Sequence, residues 1–436
     1  MQRSPRPIKT LNLSDSVHLQ LNPHPVAVSA AVLRTPLRLS KAALALVLAF
    51  LPLLAAVESA HAQTYQVLYS FKGMPDGSWP QANPILDSDG NLYGTTYQGG
   101  TSFYGSAYKL DVTGKETVLY SFLGGYGQNP TAGLIRDAKG NLYGTTFWGG
   151  AYDEGAVFKL TQNGHEVVLH SFTGSEGLWP AASLIMEQTG NLYGTTLEYG
   201  NCCGEVFKLD SSGRLAILHK FCSRQNCSDG ADPDTALIWD KKGNLYGVAS
   251  AGGSESGCCG LVFRLNANSK ETVLYRFKGG PGGKTPSGGL ARDTAGNLYG
   301  TTVIGGTTCS QSSYGCGVVF KVDTVGRETV LHRFTGTGGD GANPYGGLVL
   351  DSGGNLYGTT SVGGDLSCGY QGSGCGIVFK LDPTGKETVL HSFRGGADGQ
   401  FPEGGGSLAM DAAGNLYGTT AGGGTYTAGT VFKLTP

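Results

Sequence analysis

The pentapeptide Gly-Asn-Leu-Tyr-Gly occurs seven times, beginning at residues 90, 140, 190, 243, 296, 354 and 414. Self-similarity at a spacing of 50 to 60 residues marks a repeat architecture, in which each unit buries its apolar face against its neighbours. Three other segments recur in step. Val-Phe-Lys-Leu or a variant stands at 107–110, 157–160, 206–209, 262–265, 319–322, 378–381 and 431–434. Val-Leu-Tyr/His-x-Phe runs from Val67–Phe71 in the first copy to Val389–Phe393 in the last. A small residue followed by Leu leads into an Asp, as in Gly133-Leu134-Ile135-Arg136-Asp137.

Each segment is short, rich in β-branched and aromatic residues, and bounded by Gly, Asp or Pro, which are strand signals. No stretch after residue 62 holds a helical period. Four strands per unit and seven units predict an all-β fold, a seven-bladed β-propeller with four antiparallel strands per blade. We letter the strands from the axis outward: a (small-Leu-x-x-Asp), b (Asn-Leu-Tyr-Gly-Thr-Thr), c (Val-Phe-Lys-Leu) and d (Val-Leu-Tyr-x-Phe). The repeats open on a d segment, Val67–Phe71, and close on a c segment, Val431–Leu434. That offset has no use in a linear solenoid. In a ring, the N-terminal strand joins the C-terminal blade and closes it.

Composition fits many short strands and tight turns. All 73 glycines lie after residue 72, without a G-X-Y period, which excludes collagen. Aromatic content of 10% and apolar content of 39% exclude disorder.

Residues 1–62 differ in kind and lack glycine. Arg34, Arg38 and Lys41 precede an uncharged apolar run at 42–57, and Ala60-His61-Ala62 follows. This order predicts a secretory signal peptide cleaved after Ala62, leaving a propeller over 63–436. The run is shorter than the ~20 residues of a spanning helix. The chain is thus expected to be secreted, periplasmic or held at the cell surface, monomeric, and without a membrane span. Residues 1–62 carry six basic and two acidic residues, so the −2 of the whole chain becomes −6 after cleavage. An acidic surface of this kind disfavours nucleic acid as a partner.

Asp-x-x-Gly-Asn-Leu-Tyr-Gly-Thr-Thr, then Gly-Gly, then Val-Phe-Lys-Leu, resembles the bacterial GloVer tandem repeat. That family is named for Gloeobacter and Verrucomicrobia and is found in choice-of-anchor surface proteins. The resemblance covers essentially all of 65–436, and the Asp-x-x-Gly-Asn-Leu-Tyr core is more weakly similar to NHL-type propeller repeats. It implies an exported propeller and supplies no catalytic residues. Many relatives carry a C-terminal sorting tail, whereas this sequence stops at Pro436, straight after the closing strand.

The repeated carboxylate Asp87, Asp137, Glu187, Asp240, Asp293, Asp351 or Asp411 reads as the acceptor of an Asx-type turn rather than a calcium ligand. His170, His219, His332 and His391 share one d-strand position with Tyr69, Tyr120 and Tyr275. They read as amphipathic packing residues, too far apart from blade to blade to share one ion. No metal or cofactor motif is present, and neither is G-x-S-x-G, H-E-x-x-H or a P-loop.

All ten cysteines fall between 202 and 375. Export makes disulfides permissible, and Cys309–Cys316 and Cys368–Cys375, equally spaced in equivalent loops, are expected as local staples. Cys222–Cys227 is a third candidate. The adjacent pairs Cys202-Cys203 and Cys258-Cys259 either form vicinal disulfides or partner other loop cysteines.

Strand parity sorts the loops onto two faces. The a–b and c–d turns are short and uniform, while the b–c and d–a loops are long, variable and aromatic. Trp79, Trp148, Trp179, Tyr199 and Phe401 are the candidate ligand residues there. Trp79, Trp179 and Phe401 each precede a unit's proline, which is expected to hold them extended. The leading expectation is a non-catalytic propeller that binds a polysaccharide or a surface protein through the b–c/d–a face. The alternatives are a lyase- or glycosidase-type enzyme with its site at the channel mouth, and a purely structural cell-surface part.

Overall fold

The computed structural model describes residues 63–436 apart from 199–202, 255–257, 310–312 and 403–406. The signal peptide, Tyr199 and Cys202 lie outside the described residues. His61–Pro436 is one compact unit, and among the described residues no helix is long and apolar enough to cross a membrane.

Among the described residues, seven four-stranded antiparallel sheets follow the predicted a-b-c-d order, and a short extra pair joins Gly341–Ala342 to Val362–Gly363. In the first blade the strands are Ile85–Leu86, Leu92–Thr96, Ser106–Leu110 and Glu116–Ser121. The last blade takes Ala409–Met410, Leu416–Thr420 and Thr430–Thr435 from the C-terminus and Thr64–Ser70 from the N-terminus. Thr64 pairs with Thr435 and Ser70 with Thr430, so the ring closes as the offset requires.

Each letter of the repeat has a contact that accounts for it. The Asp87 Oδ1 atom accepts the backbone N–H of Asp89 and Asn91, and Oδ2 accepts the Asn91 amide and the Tyr93 hydroxyl. At the equivalent Asp240, burial pushes the carboxyl up, but hydrogen bonds led by Asn244 outweigh it and hold it at about 2. The strand-b Tyr ring lies under the strand-c Lys, as Lys109 over Tyr93 at 5.6 Å. The following Gly is needed for close approach, because a Cβ on Gly194 would stand 2.7 Å from the Phe207 ring. The first Thr ties blade to blade. Thr95 Oγ1 donates to Ala132 O at 3.0 Å, and Thr419 Oγ1 donates to Ala82 O at 3.2 Å across the closure. In the fourth blade Val248 stands there instead.

Between blades, the Phe that follows each strand d meets the strand-c aromatic of the next blade. The seven ring pairs, from Phe71–Tyr108 to Phe393–Phe432, lie edge to face at 5.0–5.4 Å. All seven c–d pairs also slip register inside the Val-Leu-Tyr/His segment or its equivalent, a β-bulge that the alternation pattern did not announce.

Candidate functional site

The b–c and d–a loops of each blade pair with one another on one face. Ser78 bridges Gln98, Gln128 bridges Trp148, and Leu178 bridges Glu198. The residue before each unit's proline locks neighbouring blades together. Trp79 N–H donates to Ala428 O of the preceding blade, while its own carbonyl accepts Tyr97 N–H at 2.9 Å. Asn129 and Trp179 repeat this with Tyr104 O and Glu154 O. The expectation that proline holds these residues extended is wrong. Trp79, Asn129, Trp179, Asp232, Thr285, Asn343 and Phe401 all have φ between 54° and 58°. The chain must aim its N–H at one blade and its carbonyl at another within a single residue, and a left-handed turn does this. The proline that follows seats on the glycine before the previous blade's strand c; a Cβ on Gly429 would be 2.6 Å from Pro80 Cδ.

This clasp decides where the candidate aromatics go. It carries the b–c loop of the second blade against the d–a loop leading into the third, and Trp148 meets Trp179 edge to face at 5.1 Å. Phe147 stacks on Trp179 at 5.7 Å and 14°. Trp148 and Trp179 are therefore half-buried partners in one aromatic cluster, and Phe401 is also half-buried. Trp79 stands out at 47% exposed. Sequence reasoning ranked Trp79 and Trp179 together and passed over Phe147. The available signal was that Phe147-Trp148 and Trp179 sit on loops the clasp joins.

Nine aromatic side chains among the described residues are 40% or more exposed: Trp79, Phe103, Tyr104, Tyr126, Tyr152, Tyr314, Tyr345, Tyr370 and Tyr426. Every one is in a b–c or d–a connection. The c–d turns of the opposite face expose Val112 and Val325.

At the axial end of the same face lies a cavity of about 400 Å³, lined by Gln81, Thr131, Ala181, Asp234, Ser287, Gly288 and Tyr345. All but Gly288 lie two residues after a pre-proline clasp residue, which is why they converge around the axis. Asp234 Oδ1 is buried and takes no hydrogen bond from the described protein. Burial is the main cause that pushes the Asp234 carboxyl up to about 7; a backbone N–H opposes the rise and the Asp232 charge adds to it. Asp234 was not singled out from sequence, because its unit's Pro-Asp-Thr reads as a turn.

On the outer wall, the d-strand histidines lie edge to face on the Phe two residues later, as His332 on Phe334 at 4.7 Å. Each faces a carboxylate of the following loop: His170–Glu176 at 3.1 Å, His219–Asp229 at 3.9 Å, His332–Asp340 at 3.5 Å and His391–Asp398 at 3.2 Å. Cys222–Cys227, Cys258–Cys259, Cys309–Cys316 and Cys368–Cys375 are disulfides, and Cys203 is also disulfide-bonded. Cys316 and Cys375 are fully buried beside Phe334 and Phe393, so these staples also fill the core under their loops.

A family model described as the Gloeobacter/Verrucomicrobia repeat matches residues 83–310 and 303–436. None of the curated proteins matches the sequence. Among solved structures, the chain is similar to the extracellular domain of a protein described as a one-component system of B. thetaiotaomicron. The TM-score is 0.52 at 11% identity, covering 84% of this chain and 40% of that one. A gluconolactonase from Xanthomonas campestris is similar at TM-score 0.42 and 14% identity, over 86% of this chain and 90% of that one. At these identities the likeness extends to the fold alone.

Proposed function

The chain belongs to the Gloeobacter/Verrucomicrobia repeat family, and from that premise we propose an exported, non-catalytic propeller that binds a polysaccharide through its b–c/d–a face. The observation that carries this reading is the one-sided placement of the exposed aromatics, nine on one face and none in the uniform turns of the other among the described residues. Scaffold-held aromatic rings offer flat apolar area at low entropic cost, which suits sugar faces. The cavity on the same face, lined by Tyr345 among them, presents the hydroxyl, amide and carboxylate groups of Thr131, Ser287, Tyr345, Gln81 and Asp234. Such a lining suits a hydroxylated ligand better than the apolar anchor of a surface protein. Export rests on the apolar run at 42–57 and is supported by the disulfides.

The test is a binding screen of the 63–436 protein against immobilised polysaccharides and surface-protein fractions. Trp79→Ala and Val112→Ala serve as variants of the two faces. Trp79→Ala is expected to weaken binding by about 1–3 kcal/mol, and Val112→Ala to leave it unchanged. Equal behaviour of the two variants removes the reading. Asp234, a channel-mouth acid with a raised pKa, is the observation favouring an enzyme. Cleavage of the bound glycan, lost in Asp234→Asn, selects that reading instead.

A further inference from the structure

Two carboxylates gather beside a d-strand Tyr or His at several blade junctions, and at two of these a basic side chain of the loop itself stands with them. Asp76 and Glu116 face Tyr69 with Lys72 beside them. Asp229 faces His219 with Glu271 beside Asp229, and Arg224 Nη2 sits 2.9 Å from Glu271 Oε2. At a third junction Asp340 and Glu387 face His332, and the segment between Phe334 and Asp340 is Thr-Gly-Thr-Gly-Gly, with no basic residue. Arg333, the nearest in sequence, turns away and donates to Pro281 O.

The geometry of this third junction is that of donors around an ion. His332 Nε2 is 3.5 Å from Asp340 Oδ1 and 3.7 Å from Glu387 Oε2, and one donor atom from each residue lies within 4.8 Å of the others. Metal–ligand distances of about 2.0–2.2 Å with tetrahedral angles put adjacent donors ~3.3–3.6 Å apart. Direct pairing gives shorter contacts elsewhere in the ring, as Tyr120 to Glu166 at 2.6 Å and Tyr275 to Glu328 at 2.7 Å. The donors are largely shielded, with side chains 14–18% exposed. They are also held from outside. Asp340 Oδ2 accepts Thr335 N–H and Oγ1–H, both at 2.7 Å, Oδ1 accepts Gly341 N–H at 2.7 Å, and the imidazole rests on Phe334.

We propose that His332, Asp340 and Glu387 bind one divalent transition-metal cation of the Zn²⁺ type, which clips the fifth blade to the sixth. One imidazole and two carboxylates suit such an ion, whereas Ca²⁺ takes six to eight oxygens. The ion stands where Lys72 and Arg224 stand at the other two junctions. The next junction is a natural control. Tyr65 occupies the place of Glu387 there, stacking on His391 at 3.6 Å, so His391 and Asp398 lack the second carboxylate.

The experiment is calorimetric titration of the oxidised 63–436 protein with Zn²⁺, and separately with Ca²⁺, near pH 7.5. His332→Tyr removes the nitrogen donor while installing the residue that equivalent positions already carry at Tyr69, Tyr120 and Tyr275. One Zn²⁺ per chain is expected. Affinity should drop at least tenfold in His332→Tyr and in Glu387→Gln, stay unchanged in His391→Tyr, and exceed that for Ca²⁺. If His332→Tyr fails to fold, Glu387→Gln carries the same test. No stoichiometric Zn²⁺ binding, a smaller loss in the folded variants, or tighter Ca²⁺ binding overturns the proposal.

Discussion

Protein lacking residues 63–72 is expected to lose cooperative folding and to aggregate on expression or refolding. The deletion removes strand Thr64–Ser70, the outermost strand of the last blade, and exposes Thr430–Thr435 as an unpaired edge. Phe71, fully buried and 5.0 Å from Tyr108 of the first blade, goes with it. So does Tyr65, whose hydroxyl donates to Asp398 O at 2.6 Å. Truncating one buried Phe alone costs about 3–5 kcal/mol, against a total stability of about 5–15 kcal/mol for a domain. Gel filtration and thermal melting of residues 63–436 and 73–436 check this. A monodisperse 73–436 protein melting within a few degrees of its parent contradicts the closure.

Phe263→Ala is expected to destabilise the propeller by about 3–5 kcal/mol. The ring is fully buried in strand c of the fourth blade, meets Phe221 of the third blade at 5.1 Å, and lies over Gly247. Neighbouring strands cannot close over the void, because each blade is fixed on both sides by a contact of the same kind. A single blade-to-blade contact is therefore expected to be felt around the whole ring. Urea denaturation should show one transition shifted to lower denaturant with its slope kept. A change under about 1 kcal/mol, or a separate early transition for one blade, contradicts the picture of a closed ring of equal joints.

What the sequence made legible was what each unit does within itself. The Asp that caps the a–b turn, the spacing of strands b and c, the offset of Val67–Phe71 and the even spacing of Cys309–Cys316 and Cys368–Cys375 are local or repeated, so counting finds them. Contacts between units escaped. The left-handed turn at Trp79 and Trp179 comes from hydrogen bonds to a neighbouring blade, which override the local preference of a residue before proline. For the same reason Trp179 looked like a presented indole, when Phe147 and Trp148 of the preceding blade cover it. His332, Asp340 and Glu387 come from two units and meet only because of the angle between blades, which no motif within one repeat encodes. The loop faces were legible from strand parity, but Asp234 was hidden in an ordinary turn until the strand-a entries of six blades converged on one cavity.

Hydrogen–deuterium exchange of the 63–436 protein, free and saturated with the tightest-binding polysaccharide from the screen, tests the location of the binding face most directly. The predicted result is slowed exchange in the d–a and b–c connections around Trp79, Thr131 and Tyr345, with the Asp-x-x-Gly-Asn turns unchanged. Protection centred on those turns, such as 87–91 and 137–141, with the aromatic loops unaffected, would contradict it.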